Sequence, residues 1–124
     1  MRFVNPIIFV RDVNTSKAFY RDLLGLSIDQ DEGSFVRFEV GLALHEGSAL
    51  EQTIWGRQAK KTDVYGQSNL LLYFEHDDID AAFTRISPRV ELIHPVKRQF
   101  WGQRVFRFYD PDRHTLEIGE PQSL

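Results

Sequence analysis

With 124 residues, 42% of them hydrophobic and 27% charged, the chain has the composition of one globular domain large enough to build a core. A formal net charge of −3 argues against a general nucleic-acid or anionic-membrane binder. The absence of cysteine excludes disulfides, thiolate catalysis and cysteine-held metals. The opening Met1-Arg2-Phe3-Val4-Asn5-Pro6 lacks the apolar run of a signal peptide, and no stretch is apolar for long enough to span a bilayer, so a cytoplasmic location is expected. The basic pairs Lys60-Lys61 and Lys97-Arg98 read as solvated faces.

In chain order, Phe3 to Val10 is rich in β-branched and aromatic residues and predicts a buried strand. Asn14 or Thr15 is placed to cap a following helix, on which Phe19, Tyr20, Leu23 and Leu24 form an apolar stripe that Gly25 closes. Three short strands are expected next, about Leu26 to Asp31, Ser34 to Val40 and Leu42 to Glu46, with turns at Glu32-Gly33 and Gly41. Residues 48–67 are polar with isolated Leu50, Ile54 and Trp55. They read as a linker, with a short helix over Leu50 to Lys60, between a first module at 1–47 and a second at 68–124.

The second module repeats the first. Strand Asn69 to Glu75 leads to a helix capped by Asp77 or Asp78 that ends near Ser87-Pro88. Strands near Val90 to Ile93, Arg104 to Tyr109 and Thr115 to Glu120 follow. Asp78-Ile79-Asp80-Ala81-Ala82-Phe83 echoes the helix-opening segment that starts at Asp12. Two βαβββ modules in one domain predict an α+β fold with a shared concave mixed sheet, and a concave sheet is a natural ligand cavity.

Two segments carry a family resemblance. The closing stretch Trp101-Gly102-Gln103-Arg104 with Phe108-Tyr109-Asp110-Pro111-Asp112-Arg113-His114-Thr115-Leu116-Glu117-Ile118 resembles the last motif of the vicinal oxygen chelate superfamily. The opening Val10-Arg11-Asp12 with Ala18-Phe19-Tyr20-Arg21-Asp22-Leu23-Leu24-Gly25-Leu26 resembles its first-helix motif. This superfamily includes glyoxalase I, extradiol dioxygenases, fosfomycin-modifying enzymes and bleomycin resistance proteins. The resemblance implies the glyoxalase/bleomycin resistance/dihydroxybiphenyl dioxygenase fold and a homodimer. One departure is Arg113, which stands where the family turn has glycine.

Enzymes of this family hold a divalent metal at four positions, one on the first and one on the last strand of each module. Counting from the motifs places them at Asn5, at Leu71 (or Asn69 with a two-residue shift), at Glu117, and at Leu44 with His45 beside it. Only Glu117 has good ligand character, with His45 its best companion if a metal such as Zn, Ni, Mn or Fe binds. Glu117 has a rival role as the cross-strand partner of Arg107. The residues therefore favour a site without a metal. His76 and His94 are expected at strand ends and His114 in a turn, each structural or solvated.

Alternation along the strands assigns the cavity side. Val4, Ile8 and Val10 should pack on helices and leave Asn5, Ile7 and Phe9 facing the cavity. Likewise Leu70, Leu72 and Phe74 should pack and leave Asn69, Leu71, Tyr73 and Glu75. Arg37, Arg107 and Glu117 join that face if Phe38, Phe106 and Phe108 are core, while Trp55 and Trp101 supply stacking surface. Asn5, Arg37, Asn69, Tyr73, Trp101, Arg107 and Glu117 are thus the expected ligand-binding residues, for a small polar or aromatic molecule, an anion held through the arginine forks being one candidate. The leading expectation is a metal-free binding protein like the bleomycin resistance members. The alternative is a metal-dependent lyase, isomerase or dioxygenase.

Overall fold

A computed structural model describes residues 1–57 and 63–122. Lys60-Lys61 and the far end of the expected linker helix lie outside the described residues. The chain divides into two compact units, Met1–Tyr65 and Gly66–Leu124.

The first unit runs β1 (Ile7–Val10), α1 (Val13–Ala18) continued by a π-helical turn (Phe19–Leu23), β2 (Ile28–Asp31), β3 (Phe35–Phe38), β4 (Ala43–Glu46) and α2 (Gly47–Trp55). Its strands order β1-β4-β3-β2, with β1 parallel to β4 and the other pairs antiparallel. The second unit runs β5 (Leu71–Glu75), α3 (Ile79–Ile86), a 3₁₀ turn (Ser87–Arg89), β6 (Glu91–Arg98), β7 (Arg104–Tyr109) and β8 (Thr115–Gly119). It repeats the same order, β5-β8-β7-β6, with β5 parallel to β8. Each unit is therefore a βαβββ motif, and the class is α+β as expected.

Side-chain period explains why each sheet has one dry face. Ile8, Leu44 and Val36 align across the first sheet, and Leu72, Leu116, Phe108 and Leu92 across the second. The buried Val13, Tyr20 and Leu23 of the first helix share a core with Val10 and Phe38, Tyr20 standing 5.9 Å from Phe38 between ring centres. In the second unit Ile79, Ala82 and Ile86 of α3 are buried, and the neighbouring Phe83 meets Phe106 edge-on at 5.2 Å. Truncating Phe106 or Phe108 would remove a large part of this core, at about 3–5 kcal/mol each.

Several local expectations change. The first helix is capped by Asp12, not Asn14 or Thr15: its backbone is extended, and Oδ1 accepts from the Asn14 and Thr15 amides at 3.0 and 3.2 Å. A carboxylate at the last non-helical residue is in reach of both orphan donors, whereas Asn14 and Thr15 are already helical. Asp78 does the same for α3 through Ala81, at 3.0 Å. The Leu24 amide reaches back to Phe19 O and that of Leu26 to Tyr20 O, and Gly25 closes the turn at φ +74°. Val4 is 64% exposed and does not pack on a helix, because β1 starts only at Ile7, after Pro6. Leu70 likewise lies ahead of β5 and is exposed. The linker helix starts earlier than expected, at Gly47, because the Glu46 side chain accepts from the Ser48 and Ala49 amides, each at 3.2 Å.

Arg113 adopts the left-handed conformation at φ +60°, the region that favours glycine. Its guanidinium reaches both oxygens of Glu91 at 2.7 and 2.8 Å and lies 4.0 Å over the Tyr109 ring. The turn itself is held by buried Asp110, whose Oδ1 accepts from the Asp112 and His114 amides and whose Oδ2 meets His114 Nδ1 at 2.8 Å. His114 is structural, as expected.

Two stability predictions follow from these geometries. The hydroxyl of fully buried Ser16 has no hydrogen-bond partner among the described residues. Ser16→Ala removes a desolvated polar group and improves helix propensity, so it should raise unfolding free energy by about 1 kcal/mol in urea titration. At the left-handed position, Arg113→Gly should be more stable than Arg113→Ala by about 1 kcal/mol, since both lose the same contacts and only alanine keeps a Cβ.

Candidate functional site

The sheet face turned away from α3 carries a row of polar side chains in lateral register: Tyr73 opposite Glu117, Glu117 opposite Arg107, Arg107 opposite His94. Burial of Phe106, Phe108, Leu116 and Ile118 on the other face forces this set together. Arg107 Nε donates to Glu117 Oε1 at 2.7 Å, its Nη1 meets His94 Nε2 at 3.1 Å, and its Nη2 reaches Gln99 Oε1 at 3.4 Å. Arginine can only donate, so His94 Nε2 accepts and the ring carries its proton on Nδ1, which donates to Pro95 O at 2.7 Å. The imidazole is neutral in this arrangement. Glu117 Oε2 has no hydrogen-bond partner among the described residues and is left to accept from outside.

A second network joins this row at Tyr73. The Tyr73 hydroxyl donates to Glu75 Oε2 at 2.6 Å and accepts from Gln103 Nε2 at 2.8 Å. Desolvation of the hydroxyl first, and the Glu75 carboxylate second, push the phenol of this half-exposed residue above its ordinary pKa, so it stays protonated at physiological pH and is no base. Buried Gln103 is saturated: Nε2 also donates to Glu120 O, and Oε1 accepts from Trp101 Nε1 at 2.9 Å and Gln122 Nε2 at 2.8 Å. It crosses the sheet over Gly119, where any Cβ would collide with its amide nitrogen. Beside this network lies a groove of about 630 Å³ where α3 begins, lined by Asp77, Asp80, Trp101, Gln103, Glu120 and Gln122 but by neither Arg107 nor Glu117.

Of the expected residues, Tyr73, Arg107, Glu117 and, through Gln103, Trp101 thus come together. Arg37 lies in the first unit, its Nε 3.0 Å from Asp29. Asn5 precedes β1 and donates to Pro6 O at 3.0 Å, and Asn69 is exposed ahead of β5. Trp55 belongs to another cluster in the first unit, with Phe9 and Tyr65 nearby and Arg57 4.6 Å above its ring. There Glu51 accepts from Tyr65 at 2.7 Å and Arg57 at 2.8 Å, and these donors, Tyr65 foremost, hold its carboxyl below the usual range.

The metal positions that the fold implies can be tested against these donors. The two helix caps, Asp12 and Asp78, align Ile7 with Tyr73, and register then makes Ala43, not Leu44, the counterpart of Glu117. Leu44 points into the core and is fully buried. His45 lies on the same face as Ala43, opposite Phe9 and Phe35, with its Nδ1 3.0 Å from Glu46 O. The implied set is then Asn5 and Ala43 in one unit and Leu71 and Glu117 in the other, with Glu117 already held by a guanidinium. These residues do not fit a divalent metal. Among the described residues no group of three or more His, Asp or Glu side chains could hold one.

His94, Gln99 and Gln103 take part without having been anticipated. His94 was expected at a strand end, but β6 runs on through Pro95 to Arg98. Proline is tolerated because β6 is an edge strand of its sheet. Gln103 left one signal in the sequence, the small Gly119 at the facing position.

A pair of βαβββ units, each with its first and last strands parallel and an open polar face, defines the architecture of a glyoxalase-type protein. The chain belongs to the glyoxalase-like domain family, whose model matches residues 3–123. It is 30% identical over 124 residues to the uncharacterized protein YraH of Bacillus subtilis (strain 168), a match covering 95% of this chain and 97% of YraH. A protein of unknown function from Agrobacterium tumefaciens str. C58 is 65% identical in sequence, with a TM-score of 0.93 over 98% of this chain and 95% of that one. A glyoxalase/bleomycin resistance protein/dioxygenase from Nocardioides shares the fold at 22% identity, with a TM-score of 0.74 over 100% of this chain and 90% of that one.

The Arg107–Glu117 pair should be energetically real, because the Glu117 side chain is 6% exposed and that of Arg107 25%. Glu117→Ala should cost about 1–3 kcal/mol by leaving the guanidinium without its carboxylate. A double-mutant cycle with Arg107→Ala should return a coupling of about 1 kcal/mol or more; additive single effects would show the pair to be idle.

Proposed function

We propose that this glyoxalase-like protein binds a small uncharged polar-aromatic molecule on the open face of the β5–β8 sheet, without a metal. The observation that carries this reading is the Arg107–Glu117 contact at 2.7 Å. It spends the arginine fork on an internal carboxylate and keeps that carboxylate from a cation. The row is then neutral in sum: one guanidinium, one carboxylate, one neutral imidazole and one phenol. Arg37, the other arginine expected to bind an anion, is likewise engaged, with Asp29. A ligand hydroxyl or amide N–H can donate to Glu117 Oε2. The exposed flanks Leu71, Ile93 and Trp101 offer apolar and stacking surface. A ligand carboxylate would instead have to displace Glu117 from Arg107, which makes an anion the poorer guest.

The metal-dependent lyase, isomerase or dioxygenase reading needs Glu117 released from Arg107 and companions that Asn5, Ala43 and Leu71 do not supply.

Two measurements test the proposal. Protein purified without chelators, re-dosed with Ni, Zn, Mn or Fe(II) and desalted, should retain far less than one metal per chain by elemental analysis. Near-stoichiometric retention that Glu117→Ala abolishes would overturn the metal-free reading. In thermal-shift titrations benzamide should raise the melting temperature more than benzoate does, and Tyr73→Ala should remove the gain. Preference for benzoate would mean that Arg107 is available to anions, against the neutral-ligand assignment.

A further inference from the structure

Of the four histidines, His94 differs from the rest in what faces it. His76 Nδ1 accepts from the Asp78 amide at 2.9 Å, His114 Nδ1 meets the Asp110 carboxylate at 2.8 Å, and His45 Nδ1 lies 3.0 Å from Glu46 O. Among the described residues His94 alone of these stands against a cation, its Nε2 being 3.1 Å from Arg107 Nη1. Pro95 O holds Nδ1 at 2.7 Å and would do so in either protonation state, so the ring keeps Nε2 aimed at the guanidinium.

Imidazole is the side chain whose charge ordinarily changes between about pH 5 and 8. A proton added to His94 turns Nε2 from acceptor to donor. Arg107 Nη1 then loses its partner, and two cationic N–H groups face each other across 3.1 Å. The polar row, neutral in sum before that step, now sets two cations against the one carboxylate of Glu117. Arg107 need not release Glu117 to take a guest. Its Nε contact at 2.7 Å is separate, and these bonds engage only three of its five N–H donors. The other charged groups around β6 do not cancel the gain. Lys97, further along the strand, is an exposed cation, and Glu91, opposite Tyr109, has both oxygens on Arg113. On the other face of the sheet α3 carries Arg85 and Asp80, the latter bound to Arg104 at 2.7 Å, and the 3₁₀ turn before β6 carries only the cation Arg89.

We propose that His94 sets the ligand class of this face: neutral, it leaves the face to uncharged guests, and protonated, it joins Arg107 as a two-donor fork for an aromatic oxyanion such as a carboxylate or sulfonate. The alkaline half of this inference rests on the neutral-ligand reading above. An anion with two oxygens can accept from His94 Nε2 with one and from Arg107 Nη1 with the other, which relieves the repulsion between them. Such charge-assisted bonds are about twice as strong as those a neutral amide can make there. The guest's ring is left to the exposed flanks Ile93 and Trp101. Proton and anion then favour each other's binding by the same factor.

Calorimetric titration of the full chain with benzenesulfonate, an anion at every pH used, tests this. The wild type should bind it about tenfold more tightly at about pH 5.5 than at about pH 8. Heats measured in two buffers of unlike ionisation enthalpy should show proton uptake as it binds. His94→Gln, whose amide oxygen can still accept from Arg107 but gains no proton, should bind benzenesulfonate equally at both pH values. His94→Lys, a permanent cation, should bind it several-fold more tightly than the wild type does at the higher pH, with circular dichroism checking that both variants are folded. A wild-type affinity unchanged between the two pH values overturns the proposal. So does an acid gain that survives in His94→Gln, which would report the general charge of the protein. Benzamide at the higher pH separates the two readings. A wild type that binds benzamide but shows no acid gain for benzenesulfonate loses the role of His94 alone; one that shows the gain without binding benzamide keeps that role and loses the neutral-ligand reading.

Discussion

The parallel pairing of the first and last strand in each unit is the constraint on which the rest depends. With β1 beside β4 and β5 beside β8, and side chains alternating between two faces, one register choice fixes every neighbour on the open side. Glu117 lies next to Tyr73 and Arg107 because Leu116 and Ile118 must go into the core with Phe106 and Phe108. Hydrophobic burial thus places the polar row, and the hydrogen bonds then lock it. A slip of one residue would send Glu117 against α3 and expose Leu116. No ion pair on the open face could compensate for that loss of core.

That order of causes also limits the chemistry. A carboxylate on an open sheet face can serve as a metal ligand, a base or a structural partner, and its neighbours decide which. Here the neighbours are a guanidinium at 2.7 Å and, behind it, a histidine whose tautomer is set by Pro95 O. Tyr73 is kept as a phenol by desolvation of its hydroxyl and by Glu75. The proposal of a binding face rests on these partnerships, in which each polar group of the row already has a neighbour inside the sheet.

Much of this was legible in the residues. The repeat of Asp12 at Asp78, the alternation around Phe106 and Phe108, and the closing motif through Glu117 were enough to specify two βαβββ units and the family. The Arg107–Glu117 pairing followed from alternation alone, as did the exposure of Leu71 and Tyr73. What escaped is what alternation does not encode. Asp12 outcompetes Asn14 and Thr15 as a cap through a difference in backbone conformation of one or two residues. His94 was hidden by Pro95, which reads as a strand terminator although an edge strand tolerates it. Gln103 was hidden because its partners are distant in sequence: its amide lies over Gly119 and reaches the Tyr73 hydroxyl, thirty residues away. The counterpart of Glu117 was misplaced by one residue at Leu44, since no periodic signal fixes the absolute register of two short strands.

Comparing the two units position by position shows how one frame comes to hold different contents. The caps and registers that equate Ala43 with Glu117 also equate Arg37 with Arg107. The arginine is present in both units, whereas the facing carboxylate is present only in the second. Where it is missing, Arg37 turns instead to Asp29, on β2, and the pair it forms is about one-third exposed on each side. Where it is present, Arg107 turns inward across the sheet and gathers His94 and Gln99. The same arginine thus gives a solvated surface pair in one unit and the centre of a polar row in the other, and a single register position decides between them. A fold built this way can lose or gain a site by one substitution on the open face while the buried face, which carries most of the stability, stays unchanged.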